Sequence, residues 1–283
     1  MRIVFMGSPD FAVPCLERLL KEKDRFEVVA VITQPDRAKG RKRVLTPTPI
    51  KEVAQAAGLP LWQPEKINTP ESVENIRAYR PDILVVVAFG QILKQELLQL
   101  APYGAINVHA SLLPAYRGAA PVHWALIKGE KITGITTMFL NAGMDTGNII
   151  FKKELLIQDK DNTGILYNKL ADMGQDLLIE TLDAIEAGQA PSLPQNNEEA
   201  TYAALLKKEH EILLWDKSPQ AICNQIRGLY PWPIAYTLWH GRRWKLGHAY
   251  IYEEESHYQP GEIIEILPDG LRVAAAGGSV CLD

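Results

Sequence analysis

The chain has 283 residues, 47% hydrophobic and 23% charged, the balance of an ordinary globular protein with room for two domains. A formal net charge of −4 excludes a molecule that binds polyanions over its whole surface, so any nucleic-acid contact must come from a local basic patch. Three widely spaced cysteines, Cys15, Cys223 and Cys281, offer neither a disulfide framework nor a paired-thiol motif, and no apolar run approaches the ~20 residues of a membrane span. With an N-terminal apolar run too short for a signal peptide, the expectation is a cytoplasmic protein with reduced thiols and no membrane partner.

Ile3 to Met6 is an apolar run ending in Gly7, the form of a first parallel strand. Ser8 then Pro9 reads as an N-cap and first helical position, opening a helix to about Lys21 with Phe11, Cys15, Leu16, Leu19 and Leu20 along one face. The turn G-S-P-D-F lacks the G-x-G-x-x-G dinucleotide fingerprint, so the start is Rossmann-like without that cofactor signal. Residues 27–33 read as a second strand, 50–57 and 71–79 as helices, and 82–88 as a strand buried on both faces. That strand runs into Phe89 and Gly90 and then a helix over 93–100, the arrangement at which open α/β sheets bind ligands.

Residues 106–109 form the next strand, 119–128 a short helix, 133–140 a returning strand and 149–157 an edge strand. A long amphipathic helix over 162–187 closes this domain, and residues 191–197, rich in Pro, Asn and Gln, read as the start of a linker. Beyond it, one helix over 218–227 and short strands over 235–239, 244–252, 262–267 and 271–275 are separated by turns such as His240-Gly241 and Pro268-Asp269-Gly270. Short strands around one helix fit a small OB-like barrel.

The informative chemistry sits between residues 105 and 147. Asn107 and His109 are two apart on a strand, so both side chains leave one face. After one crossover and one strand, Asp145 sits in the turn G-M-D-T-G. An amide, an imidazole and a carboxylate suit a reaction that develops an oxyanion and moves one proton. The six histidines show no metal-ligand spacing with Cys or Glu, so no metal is implied. A second stretch, Q-P-D-R-A-K-G-R-K-R, carries Arg37, Lys39, Arg41, Lys42 and Arg43 with no hydrophobic period, directly after a strand's carboxyl end. Such a loop is either a solvated run or a set of phosphate contacts to RNA. Residues 207–283 hold eight Lys/Arg against ten Asp/Glu, so at most one face there is suited to RNA.

N-V-H-A-S-L-L-P-A-Y-R-G-A-A-P followed by M-D-T-G resembles the folate-dependent formyltransferases, and Q-P-D-R-x-x-G-R resembles the loop by which their methionyl-tRNA branch engages the acceptor arm. The resemblance implies a Rossmann-like, mostly parallel sheet with helices on both faces over residues 1–190, a linker over 191–207, and an OB-like tRNA-binding domain over 208–283. It implies 10-formyltetrahydrofolate as co-substrate and initiator methionyl-tRNA as partner, with a monomeric enzyme. It assigns catalysis to Asn107, His109 and Asp145, with Asn107 and His109 donating to the formyl oxygen and Asp145 orienting His109 and assisting proton transfer. It assigns folate contacts to Phe89, Gly90, Leu93, Ser111, Leu112, Leu113, Pro114, Leu140 and Gly143. It assigns tRNA contacts to Arg37, Lys39, Arg41, Lys42, Arg43 and Lys207. Family members continue beyond a segment like 277–283, so the barrel is expected to be incomplete. The competing readings are a formyltransferase acting on a small amine such as an amino-sugar nucleotide, a formyl-folate hydrolase, and a non-catalytic RNA-binding protein.

Overall fold

The computed structural model describes residues 1–283 apart from Arg41, Lys42, Glu254 and the side chain of Lys39. In chain order the elements begin with β1 (Arg2–Gly7), α1 (Val13–Lys21), β2 (Glu27–Ile32), β3 (Arg37–Lys39), β4 (Val44–Thr46), α2 (Pro49–Ala56), β5 (Leu61–Trp62) and α3 (Pro70–Ala78). There follow β6 (Ile83–Val87), α4 (Gln95–Leu98), β7 (Ala105–His109), α5 (Pro121–Lys128), β8 (Ile132–Phe139), β9 (Ile149–Leu156) and α6 (Thr163–Glu186). The last are α7 (Lys208–Glu211), α8 (Pro219–Leu229), β10 (Ala235–Trp239), β11 (Arg242–Leu246), β12 (Ala249–Glu253), β13 (Ile263–Leu267), β14 (Gly270–Ala275) and β15 (Gly278–Leu282).

Three helix starts share one local cause. Thr48, Thr69 and Ser218 each accept a hydrogen bond from the backbone N–H three residues on, with Pro at the first helical position. Ser8-Pro9 has the same letters and a different outcome. A short 3₁₀ turn over Asp10–Ala12 precedes α1, and the Ser8 hydroxyl is used across the sheet instead, donating to the Phe89 carbonyl at 3.2 Å. A tertiary partner has outbid the local cap.

Seven strands form one sheet in the order β5-β2-β1-β6-β7-β8-β9. The neighbours from β5 to β7 run parallel, and β8 is antiparallel to β7. Strand order reverses direction at β1, between β2 and β6, so the carboxyl ends of β1 and β6 open a crevice. β6 and β7 are buried along their whole length, as the continuous apolar run of β6 requires. One core gathers Val4, Met6, Ile32, Leu84, Val86, Phe89, Leu93 and Leu97.

In space the chain separates into two compact units. One holds Met1–Arg117, Gly134–Glu154 and Asn168–Thr201, and the other holds Gly118–Thr133, Leu155–Tyr167 and Tyr202–Asp283. The second unit is built on Leu213, Ile222, Ile226, Leu229, Val273 and Val280 beneath a four-stranded antiparallel sheet, β12-β15-β14-β13. α5 and α8 approach closely within it, since a Cβ at Gly228 would lie 3.0 Å from the Ile127 backbone nitrogen. The hairpin β10–β11 is a separate two-stranded sheet, so among the described residues these strands do not close into the expected barrel. The strand expected over 244–252 is broken at Gly247-His248 into β11 and β12. Among the described residues no helix is long and apolar enough to cross a membrane.

Candidate active site

The site residues of the first unit meet at the carboxyl ends of β6 and β7. Val108, between Asn107 and His109, faces α6, where its side chain lies 3.2 Å from the position a Cβ on Gly174 would take. Asn107 and His109 therefore share the opposite face of β7. Asn107 is 9% exposed, and its carboxamide has no hydrogen-bond partner among the described residues. With no partner in the fold, the amide is open to donate to or accept from a ligand.

His109 is 6% exposed. Its Nε2 lies 3.0 Å from the Tyr116 carbonyl, and a carbonyl only accepts, so Nε2 carries the proton. Nδ1 faces Asp145 Oδ2 at 3.7 Å. The donor expected to serve a substrate oxygen from His109 is thus directed at Tyr116, and in the neutral ring Nδ1 offers a lone pair toward the carboxylate. One proton fits between these two groups.

Asp145 adopts the left-handed backbone region at φ +52°, rare for a residue with a side chain. The turn around it is braced twice. Asn141 Oδ1 accepts from the Gly143 N–H at 3.0 Å and the Thr146 hydroxyl at 2.8 Å. Gln195 Nε2 donates to the carbonyls of Asp145 and Gly147, both at 2.8 Å. Gly147 is obligatory there, because a Cβ would fall 1.7 Å from the Phe139 carbonyl oxygen.

Phe89, Leu93 and Leu140 pack in one apolar cluster, and Leu140 also reaches Leu113, Met138 and Ile149. Gly90, at φ +87°, is exposed beside them with only Gln34 Nε2 near its missing Cβ. Apolar walls with an open glycine fit a flat heteroaromatic ring. The segment from Ser111 to Pro114 is pinned to β8: Thr136 Oγ1 donates to the Ser111 carbonyl at 2.7 Å and accepts from the Leu113 N–H at 3.1 Å. Ser111 and Leu113 are buried, Leu112 and Pro114 half-buried, and the Ser111 hydroxyl donates to the Ala115 carbonyl. Donation to a ligand by the Ser111 hydroxyl would therefore have to displace that bond, while its oxygen is still able to accept. Gly143 is exposed in the Asp145 turn.

The basic stretch is a hairpin, β3–β4, rather than irregular chain. Arg37 is exposed and pairs with Glu65 at 2.7 Å, and Arg43 is exposed at φ +49°. Arg41 and Lys42 lie outside the described residues, as does the Lys39 side chain. The root of the hairpin is fixed by Asp36, which accepts from Gln63 Nε2 at 2.8 Å and Lys51 Nζ at 2.6 Å. Those bonds, Gln63's first, hold its carboxyl below the usual range. Lys207 belongs to the second unit and is exposed beside Glu209. Among the described residues no group of three or more His, Cys, Asp or Glu side chains could hold a metal.

Residues 1–182 match the formyl transferase family model, and 205–283 match that of the formyl transferase C-terminal domain. The chain belongs to the formyltransferase family and is an enzyme of that class. It is 48% identical over 283 residues to the methionyl-tRNA formyltransferase of Acetivibrio thermocellus, covering 100% of this chain and 90% of that one. It is 46% identical over 281 residues to the methionyl-tRNA formyltransferase of Bacillus subtilis, covering 99% and 88%. Its fold is shared by the Helicobacter canadensis N-formyltransferase solved in complex with folinic acid and dTDP-3-aminofucose, with a TM-score of 0.74, 20% identity and coverage of 99% and 98%.

Proposed function

We propose that this enzyme transfers the formyl group of 10-formyltetrahydrofolate to the α-amino group of methionyl initiator tRNA, and so supports translation initiation. The observation that carries this reading is the Asn107 carboxamide, without a hydrogen-bond partner among the described residues, beside the His109–Asp145 pair, in a chain 48% identical to a named methionyl-tRNA formyltransferase. Folate would be held by Phe89, Gly90, Leu93, Leu113, Leu140 and Gly143, with Ser111, Leu112 and Pro114 forming the adjoining wall; it supplies the activated formyl carbon.

The roles of the chain's own groups follow from what each can donate or accept. An α-amino group has a reference pKa near ~7.7–8.0, so a useful fraction is a neutral nucleophile at cellular pH. Charge builds on the formyl oxygen as the amine adds, and the Asn107 N–H is the open donor for it. His109 can join as a second donor only by releasing Tyr116. Asp145 and His109 Nδ1 together offer a place for the proton the amine sheds. The basic stretch of Arg37, Lys39, Arg41, Lys42 and Arg43, and Lys207 in the other unit, would contact tRNA phosphates. It is the basic hairpin that favours a polyanionic acceptor over an amino-sugar nucleotide.

Single-turnover formyl transfer tests the reading, with initiator methionyl-tRNA, free methionine and an amino-sugar nucleotide offered separately. Rapid formylation of the charged tRNA alone is the expected result. Folate turnover that leaves no formyl group on tRNA would overturn it in favour of a small-amine acceptor or hydrolysis.

A further inference from the structure

Gln195 lies far along the chain from the site, in a stretch rich in Pro, Asn and Gln, yet its side chain sits between two layers of the site's support. Its Oε1 accepts from Arg117 Nε at 3.0 Å and Nη2 at 2.7 Å. Its Nε2 donates to the Asp145 and Gly147 carbonyls. Arg117 is 2% exposed and is steadied in turn by Asn197 Oδ1 at 2.9 Å from Nη2. A guanidinium only donates and a carbonyl only accepts, so the Gln195 amide has a single allowed orientation. Flipping it would set its N–H groups against Arg117 and its oxygen against two carbonyls, opposing four bonds at once.

We infer that Gln195, locked by Arg117, is a positioning residue for the transfer reaction: it holds the left-handed turn at Asp145 so that the carboxylate stays at His109 Nδ1. Asp145 occupies a backbone conformation that an L-residue keeps only when its surroundings over-determine it. Both carbonyls flanking Thr146 are tied to one amide, which fixes the plane of the turn. Without it the turn is free to relax, and the carboxylate moves away from the imidazole. A displacement of about 1 Å at such a site costs on the order of 10²-fold in rate.

This inference rests on the proposed formyl transfer, and its test separates the two. Gln195→Ala is expected to lower the single-turnover transfer rate about 10²-fold while tRNA and folate affinities stay within about twofold. Gln195→Glu fills the same volume and pairs with Arg117, but it sets an oxygen against two carbonyls; it is expected to keep the melting temperature and still lose the rate. Asp145→Asn is expected to mask the effect, so that Gln195→Ala costs nothing further in that background. Hydrogen exchange in a peptide spanning residues 141–148 should rise in Gln195→Ala, while a peptide spanning β6 is unchanged. A wild-type rate in Gln195→Glu, additive losses with Asp145→Asn, or unaltered exchange over 141–148 would overturn the inference. If the wild-type enzyme fails to formylate methionyl-tRNA, the proposed acceptor is wrong, and the Gln195 effect is then read in folate turnover, where the same loss and the same masking are expected.

Discussion

The His109 imidazole gives its Nε2 proton to the Tyr116 carbonyl at 3.0 Å, and this one bond decides what its other nitrogen can do. In the neutral ring Nδ1 is a bare acceptor, and it faces the Asp145 carboxylate at 3.7 Å. Two acceptors face each other across a gap that a single proton would bridge. Asp145→Asn keeps the shape, presents an N–H to Nδ1 and abolishes the place for that proton. Its single-turnover rate is expected to fall by about 10²–10⁴-fold, with methionyl-tRNA affinity unchanged. An equal loss in tRNA affinity would instead make Asp145 a substrate-binding group.

Asn107 separates a chemical role from a packing role more sharply. Its carboxamide has no partner among the described residues, so truncation breaks no hydrogen bond within the fold. Asn107→Ala is expected to leave the melting temperature within a few degrees of wild type and to slow transfer by about 10²–10³-fold. A large drop in melting temperature with an intact rate would mark Asn107 as a core residue.

The parallel strands of the first unit are legible because a strand buried on both faces must be a continuous apolar run, as in Ile83–Val87. Helix starts are legible at Thr48, Thr69 and Ser218, where cap and proline act within one turn. At Ser8 the same signal misleads, because the Phe89 carbonyl competes for the hydroxyl. Asn107 and His109 declare a shared face by spacing alone. Tyr116 could not be found that way, since it acts through a backbone carbonyl that any residue carries. Gln195 is hidden for a different reason: composition around it reads as linker, and its side-chain hydrogen bonds all run to distant residues. The signal for Arg117 was its place in A-Y-R-G, a charged residue in a small-residue run, which local periodicity does not interpret. The hairpin β3–β4 has few apolar residues to alternate, so nothing marked it as strand.

Asp36 ties the basic hairpin to the rim, and its protonation state sets how firmly. Hydrogen bonds from Gln63 and Lys51 depress its folded-state pKa below the ordinary carboxylate value of ~3.9. Its contribution is therefore present above that ordinary value and lost as pH falls through the lower folded one. At neutral pH the bond set is intact. Asp36→Asn should disrupt it there, setting an amide N–H against one of the two donors. Protease nicking within 36–43 at pH 7 is expected to quicken in the variant, and tRNA is expected to protect wild type better than the variant. Equal nicking in both would show that the hairpin is held without Asp36.

The three cysteines are free and buried. Burial pushes the Cys15 thiol up to about 12 and the Cys223 thiol up to about 11, so neither carries useful thiolate at pH 8. Native protein is expected to react with a thiol-selective reagent far more slowly than protein in denaturant, with three thiols appearing on unfolding. Rapid labelling of Cys15 or Cys223 in the folded enzyme would contradict the packing around α1 or α8.

His123 gives the second unit an acid sensitivity of definite sign. Its Nδ1–H donates to the Gly228 carbonyl at 2.9 Å, and the same oxygen accepts from the Thr163 hydroxyl at 2.7 Å. Burial lowers its folded-state pKa, only partly offset by that backbone bond. As pH falls below the ordinary value of ~6.5, the unfolded chain binds the proton before the folded one does. Stability is thus unaffected above that value and declines as pH drops toward the folded pKa, by at most about 1.4 kcal/mol per pH unit. In His123→Gln, the carboxamide can still donate to Gly228 and does not titrate. The melting-temperature advantage of wild type over this variant should therefore narrow between pH 7.5 and 5.5. A constant gap over that range would mean that the imidazole titrates alike in the folded and unfolded chains.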